Sequence, residues 1–216
     1  MTDTAAKPGR IGRPPSKTAG SHAAIMDAVY ALLQETSVRD LTMEAIAKRA
    51  GVGKPTLYKW WPSKAALVFA MFHERLAGEP TATKARTAEV AIRERVRRLV
   101  AALNGLFGKV MAELIAEGQS DPAVLRELYE QHIDPRRAAA RLDIERGQAN
   151  GEIVRDANAE LLLEEIFGAI YYRMLFRSGP LTEEYADKII DQVFRGLRVR
   201  KSRARPGGVE SGSPRV

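Results

Sequence analysis

Apolar positions recur along this 216-residue chain with the spacing of α-helices, and no segment alternates with the period of a β-strand. The first such segment places five apolar residues on one helical face, namely Ile25, Ala28, Val29, Leu32 and Leu33. Ser21 precedes them as the expected N-cap. Further helices are predicted over residues 42–50, 53–61, 63–78, 84–104, 106–117, 122–149, 158–178 and 182–199. The predicted fold class is therefore all-α.

Proline and glycine mark the boundaries of this helical region. Pro135 is expected to kink or break the helix over 122–149, because its ring and missing amide disturb a helix interior. Residues 1–20 contain several prolines and glycines and are predicted to form a disordered basic arm. Residues 200–216 are basic and then rich in Gly, Ser and Pro, and they are predicted to be a disordered basic tail.

Three residues between Leu41 and Leu67 have the spacing of a helix-turn-helix motif. Ala47 permits the close crossing of two helices, and Gly51 lies where the turn needs a left-handed backbone. Leu57 follows as the apolar residue that the second helix turns inward. The second helix of such a motif enters the major groove of DNA, so the pattern predicts a DNA-binding domain over residues 21–66.

The second helix of the motif is predicted to present one face to DNA. Leu57 and Trp61 are four residues apart and are assigned to the core. The outward face then carries Lys54, Pro55, Thr56, Tyr58, Lys59 and Trp60. A short exposed face with two lysines favours DNA over protein as its partner.

Each outward side chain has chemistry that suits a nucleic acid. Thr56 offers a hydroxyl and a methyl group to base edges, and Lys54 reaches a guanine edge or a phosphate. Phosphate contacts are expected from three further side chains, Tyr58, Lys59 and Lys64. Thr42 and Ser63 are predicted N-caps, and helix N-termini also favour phosphate. Trp60 is left open between phosphate contact and partial packing.

The arm preceding the motif supports a smaller hypothesis. Its segment RIGRPP, residues 10–15, resembles short Arg/Pro arms that enter an A·T-rich minor groove, which makes Arg13 a candidate contact. A tail that only increases solubility is the alternative.

Charge is distributed unevenly along the chain, whose net charge is +7. Residues 1–78 carry 11 Lys/Arg against 6 Asp/Glu, and residues 195–216 carry 7 against 1. The intervening residues 79–194 carry 16 against 20. Basic ends around a mildly acidic middle indicate that the helix-turn-helix end meets a polyanion.

Several function classes find no support in the composition. The chain has no cysteine, and its three histidines lie near no zinc, nucleophile or dinucleotide motif. We therefore expect no enzymatic activity, no catalytic residue, no metal and no cofactor. No run approaches the roughly 18 apolar residues of a membrane span, and no signal peptide is visible. A cytoplasmic protein without a membrane partner is expected.

The segment GVGKPTLYKWWPSKAAL, preceded by TMEAIAKRA, resembles the N-terminal domain of the TetR (tetracycline-repressor) family of bacterial transcription regulators. The resemblance implies an all-helical homodimer that binds double-stranded operator DNA as a repressor and is released by a small-molecule effector. It places eight residues at DNA-contacting positions, namely Thr42, Lys54, Pro55, Thr56, Tyr58, Lys59, Trp60 and Lys64. Gly53 and Trp60 depart from the residues that the family often has there.

The resemblance also implies that residues 67–199 form a helical regulatory and dimerisation domain. Its last two helices would pack against their copies, and the candidate interface residues are Leu162, Ile166, Ala169, Ile170, Ile189, Val193 and Leu197. A ligand pocket is expected among the helices over 84–149, with five candidate lining residues, Phe107, Met111, Leu114, Tyr129 and His132. Plain core packing is the alternative for each of them.

The patterns predict a DNA-binding protein, and the resemblance further implies a ligand-responsive dimeric repressor that binds a palindromic operator through a helix-turn-helix. The half-sites of such an operator are expected about 34–36 Å apart, or somewhat more. A DNA-binding regulator that activates or needs no ligand is one alternative. A protein-interaction module whose helix-turn-helix no longer reads DNA is the other.

Overall fold

The computed structural model describes residues 16–76 and 85–197 of the chain. In these ranges it contains ten α-helices, which are α1 (Ser16–Glu35), α2 (Met43–Ala50), α3 (Lys54–Trp60), α4 (Lys64–Met71), α5 (Ala88–Leu103), α6 (Leu106–Gly118), α7 (Pro122–Leu128), α8 (Asp134–Ala149), α9 (Ala159–Phe176) and α10 (Glu183–Leu197). Two π-helical turns extend α4 and α7, namely π1 (Phe72–Leu76) and π2 (Tyr129–Ile133). The all-α prediction is confirmed.

The ends of the helices around the predicted motif follow their capping residues. Thr42 Oγ1 accepts a hydrogen bond from Ala45 N at 3.1 Å, and Ser63 Oγ accepts one from Ala66 N at 3.0 Å. Gly51 ends α2 with a φ of 67°, the left-handed conformation that a glycine adopts without steric cost. The predicted caps and turn are therefore confirmed.

Two predicted helices have different limits in the structure. α1 begins at Ser16 rather than at Ser21, so part of the region assigned to the arm is helical. Gly20 lowers helix stability by only about 1 kcal/mol relative to alanine, which the rest of a 20-residue helix offsets. The predicted helix over 122–149 is divided by π2, and Pro135 occupies the first turn of α8. The proline therefore follows the π-helical turn directly, where the regular α-helical hydrogen-bond pattern is already interrupted.

Helices α1 to α4, which contain the predicted helix-turn-helix, pack around a shared apolar core, and we call them the DNA-binding unit after that prediction. α1 packs against α2 and α4, and α2 packs against α3. Ile46, Leu57 and Leu67 have no exposed surface, and Trp61 is buried beside them. Since α3 has only seven residues, its stability comes from this packing rather than from its own helix propensity.

Helices α5 to α10 form the body. Charged pairs join these helices to one another, in addition to apolar contacts. Arg93 on α5 pairs with Asp187 at 3.1 Å and with Asp191 at 2.5 Å, both on α10. Arg95 pairs at 2.8 Å with Asp143, a buried carboxylate on α8. These pairs hold α5 between α8 and α10.

The corner between α5 and α6 bends the chain by 84°. At this corner Gly108 approaches the preceding helix so closely that a Cβ atom would lie 1.9 Å from Leu103 O. Among the described residues no single helix is long and apolar enough to cross a membrane. The bent pair α5 and α6 has the required length and composition only when its two helices are taken together.

The DNA-binding unit and the body meet at an aromatic contact. Phe72 from π1 has no exposed surface; its ring stacks on Phe107 of α6 with centroids 4.4 Å apart. It also meets the edge of His132 from π2, with centroids 4.5 Å apart. Arg136 Nη1 donates to His132 Nδ1 at 3.0 Å, so the ring proton of the neutral imidazole lies on Nε2. Both π-helical turns therefore contribute to one junction.

The junction holds His132 in its neutral form. Burial above all, together with the neighbouring Arg136 and His73, lowers the pKa of His132 from 6.5 to about 3. The unfolded chain takes up a proton on this histidine below pH 6.5, whereas the folded chain does not until about pH 3. The stability that His132 contributes is therefore complete above pH 6.5 and is lost as the pH falls from 6.5 toward 3.

We expect this linkage to appear when the wild-type protein is compared with His132→Gln. As the pH falls from 6.5 to 5 the wild type should lose more unfolding free energy than the variant, by a slope that rises toward about 1.4 kcal/mol per pH unit. Glutamine keeps an acceptor for Arg136 but does not titrate, so the difference isolates the imidazole. Urea unfolding followed by circular dichroism at several pH values measures it. Parallel stability curves for the two proteins would contradict this account.

Candidate nucleic-acid interface

The predicted outward residues lie on helix α3, which two buried side chains hold against the core. Leu57 has no exposed surface and Trp61 is 4% exposed, so their assignment to the core is confirmed. Trp61 N donates to Leu57 O at 2.8 Å where the helix ends. Lys54, Pro55, Tyr58 and Lys59 are exposed, and Thr56 and Trp60 are half-buried. All six therefore keep accessible surface on one short helix, and Trp60 also packs partly against the core.

Protein groups already contact three of the candidate DNA-binding lysines. Lys54 Nζ donates to Glu44 Oε1 of α2, a bond that raises the pKa of Lys54 and lowers the pKa of Glu44. Lys64 Nζ donates to Arg39 O at 3.0 Å. Lys59 lies over the ring of Trp60, with its Nζ 5.4 Å from the centroid. A phosphate that binds Lys54 must therefore compete with the carboxylate of Glu44.

Glu44 is a functional neighbour that sequence reasoning missed. Glu44 lies in the first turn of α2, where the helix dipole stabilises negative charge. Its partner Lys54 lies ten residues later, on the other side of the turn. Arg13 lies outside the described residues. Thr42 and Ser63, the N-caps of α2 and α4, are both exposed to solvent.

Four of the five candidate pocket residues are buried in the body. Phe107, Met111 and Leu114 project from α6 into the core, and His132 is 3% exposed. Tyr129 is 46% exposed, so it does not share the buried surroundings of the other four, and its role in a pocket stays a prediction. Tyr129 and His132 both belong to π2, whose wider turn separates two residues that an α-helix would place closer together.

Two polar residues near this region were not predicted. Arg136 Nη1 donates to both Nδ1 and the carbonyl oxygen of His132, at 3.0 and 2.9 Å. Burial raises the pKa of Tyr171 on α9 to about 12, and the charge of Arg136 opposes this. A cavity of about 180 Å³ lies elsewhere in the body, lined by Thr87, Glu89, Glu152, Ile153 and Phe194. It contains none of the predicted pocket residues.

The predicted dimer stripe on α9 is partly wrong. Leu162, Ile166 and Ile170 are at most 7% exposed because they face the core of their own chain. The other candidates, Ala169, Ile189, Val193 and Leu197, are half-buried and keep surface available. A different apolar face of α9 is exposed, formed by Leu161, Tyr172, Leu175 and Phe176. We call these four residues the α9 face.

Two family models match the chain. Residues 25–71 match "Bacterial regulatory proteins, tetR family", and residues 86–193 match "Tetracyclin repressor-like, C-terminal domain". The uncharacterized HTH-type transcriptional regulator YdeS of Bacillus subtilis is 31% identical over 187 residues, which cover 87% of this chain and 93% of that protein. An uncharacterized HTH-type transcriptional regulator of Mycobacterium tuberculosis is 29% identical over 166 residues, 76% of this chain and 80% of the relative.

Solved structures have the same fold. The TetR family transcription regulator SCO0332 aligns with a TM-score of 0.65 and 26% identity over 82% of this chain and 97% of its own. FadR from Bacillus subtilis, solved in complex with stearoyl-CoA, aligns with a TM-score of 0.68 and 19% identity over 82% of this chain and 100% of its own. That likeness concerns the fold alone. With both family models matched in order along its length, the chain belongs to the tetR family of bacterial regulatory proteins, which are DNA-binding transcription regulators and not enzymes.

Proposed function

We propose that this chain is a homodimeric repressor that binds a palindromic operator through α3 of each protomer and is released by a small-molecule effector. The observation that carries the proposal is the outer side of α3, where Lys54, Tyr58 and Lys59 are exposed above a fully buried anchor. Action on chromosomal DNA places the protein in the cytoplasm. A regulator that activates transcription or needs no ligand would use the same DNA surface. A test for an effector therefore distinguishes the proposed regulator from one that needs no ligand.

The contacts on α3 divide into base reading and backbone positioning. Thr56 and Lys54 lie in its first turn, the part of a recognition helix that reaches base edges. Tyr58 and Lys59 lie further along it, and Lys64 begins α4; these three bind phosphates in our proposal. Pro55 and Trp60 pack against the sugar-phosphate backbone beside them. Thr42 and Ser63 offer the N-termini of α2 and α4 to phosphate.

Dimerisation is supported by the α9 face. Phe176 is 70% exposed and Tyr172 is 59% exposed, and their rings are 4.8 Å apart. Several exposed apolar side chains on one side of a helix, with two aromatic rings in contact, are typical of a surface that binds a protein. The half-buried Ile189 and Val193 of the adjacent α10 extend it. A second copy of the chain, related by a two-fold axis, covers both helices in the proposed dimer.

An effector site is supported by the polar groups within the apolar body. Small-molecule sites combine apolar walls with a few polar groups that orient the ligand. Phe107, Met111 and Leu114 supply the walls, and His132 and Tyr171 supply the polar groups. Because Phe107 and His132 also contact Phe72, a ligand that displaces either side chain acts directly on the junction with the DNA-binding unit.

We expect specific binding to a palindrome selected from a random duplex pool. Lys54→Ala and Tyr58→Ala should each weaken it about tenfold or more, the scale of a lost base or backbone contact. Glu44→Gln should strengthen it, because Lys54 loses its competing carboxylate. Lys64→Ala should weaken binding to all sequences and reduce the salt slope by about 1. Fluorescence anisotropy over a salt series measures all four.

Equal and weak binding of the wild type to every sequence, unchanged by these substitutions, would refute operator recognition. That result would favour the alternative of a protein-interaction module.

We expect the wild-type protein to sediment as a dimer at micromolar concentration and Phe176→Glu to sediment as a monomer. A buried charge without a partner is costly at an interface, whereas the same charge on a free surface is not. Leu142→Glu on α8 is the matched control, since Leu142 is an apolar residue 66% exposed outside the α9 face. Dimers of Phe176→Glu, or monomers of Leu142→Glu, would contradict the proposed interface.

We expect a thermal-shift screen of small molecules to identify compounds that stabilise the protein and release the operator. A ligand at 100 times its Kd adds about 2.7 kcal/mol to the unfolding free energy. Tyr171→Phe should weaken the response to such a compound while operator binding without it is unchanged. If compounds that stabilise the protein never alter operator affinity, the regulator is independent of those ligands and the effector proposal fails.

A further inference from the structure

Hydrogen bonds from the body hold the end of α1 and the α1–α2 loop, residues 36–42. Lys109 Nζ donates to Leu33 O at 2.8 Å and to Thr36 O at 2.7 Å. Glu113 Oε2 accepts from Val38 N at 2.7 Å. Lys109 and Glu113 lie one turn apart on α6. We call these three hydrogen bonds the α6–α1 bridge.

The bridge supplies a positive charge that α1 lacks at its own C-terminus. The last turn of α1 contains no basic residue, although the final carbonyl groups of a helix favour a cation. Lys109 provides that cation from another part of the chain. Val38 has no exposed surface, so its amide depends on a protein acceptor, which is Glu113. α6 therefore completes the end of α1 and the start of the loop.

The loop passes this restraint on to the DNA-binding helices. Ser37 Oγ donates to Asp40 Oδ2 at 2.7 Å and accepts from Asp40 N at 3.1 Å, which closes the loop on itself. Lys64 Nζ, at the start of α4, binds Arg39 O. Thr42 then caps α2. The path from α6 to α2 and α4 thus crosses a hydrogen-bonded turn rather than a free segment.

The bridge is the second contact between α6 and the DNA-binding unit. Phe107, two residues before Lys109, stacks on Phe72 at the junction. A unit held at one point can rotate about it in any direction, whereas a second point of contact leaves only rotation about the line that joins the two. α6 therefore restrains both the position and the orientation of the helix-turn-helix.

We infer that Lys109 and Glu113 are positioning residues that set the orientation of the DNA-binding unit on the body, and with it the half-site spacing that the dimer accepts. This inference rests on the proposed binding of a palindromic operator by a dimer. A residue that only stabilises the fold changes the affinity for operators of every spacing by the same factor. A positioning residue changes the preference among spacings, which is a separate measurement.

The test uses the full chain and a palindrome selected with the wild type, together with duplexes in which one central base pair is added or removed. The wild type should lose affinity on the order of tenfold with either change, as it does for a mismatched base pair. Lys109→Met/Glu113→Met should bind the selected palindrome more weakly and should discriminate among the three duplexes by less than about threefold. Fluorescence anisotropy gives the three Kd values, and circular dichroism confirms the folded state.

Matched variants separate positioning from charge and from stability. Glu117→Gln removes a carboxylate one turn further along α6 that has no hydrogen-bond partner among the described residues, and it should keep the wild-type spacing preference. Glu113→Gln keeps an acceptor for Val38 N and should also keep it. Lys109→Met alone, the milder change, should reduce the preference even if the double variant unfolds.

The outcomes distinguish this inference from the proposal beneath it. If the folded bridge variants, Lys109→Met included, prefer the selected spacing as strongly as the wild type, the positioning role is refuted and operator binding stands. If the wild type itself recognises no palindrome, dimeric operator binding is refuted, and the positioning role is refuted with it.

Discussion

The burial of Phe72 between Phe107 and His132 is the contact on which the arrangement of the molecule depends. It joins three elements that are far apart in the sequence: the end of the DNA-binding unit, α6, and π2. Deleting a fully buried phenylalanine side chain costs about 3–5 kcal/mol in folded proteins. Both π-helical turns contribute a side chain to this contact. Such turns widen a helix locally and occur frequently at functional sites. The contact therefore links the unit that reads DNA to the helices that would sense a ligand.

The DNA surface depends on this interior as much as on its own side chains. α3 is too short to be stable alone, so Leu57 and Trp61 must be buried before Lys54 or Tyr58 has a defined position. The same dependence extends backward through the α1–α2 loop to α6. A change in the body thus reaches the DNA surface through packed and hydrogen-bonded groups, without needing a contact between ligand and recognition helix.

Local features of the fold could be predicted from the sequence, and pairings between distant segments could not. Thr42, Ser63 and Gly51 act within four residues of themselves, so their roles follow from neighbouring positions. Leu162 was misassigned because α9 is apolar around most of its circumference, and spacing alone does not show which side faces the core. The difference in exposure between Tyr129 and His132 could not be predicted, because a π-helical turn changes the angular spacing of side chains. The bonds from Lys109 to α1 join residues more than 70 positions apart and leave no local pattern.

The pairing of Glu44 with Lys54 has a consequence for how such a regulator would find its site on a chromosome. Non-specific affinity comes almost entirely from cations that displace counterions from phosphates. A lysine whose charge is already balanced by a neighbouring carboxylate adds little to that general attraction. Time spent on random sequence is then shorter, and more of the genome is sampled per unit time. At the correct sequence a base edge can replace the carboxylate as the partner of the lysine, so a group that weakens contact everywhere would shorten the search without an equal loss at the target.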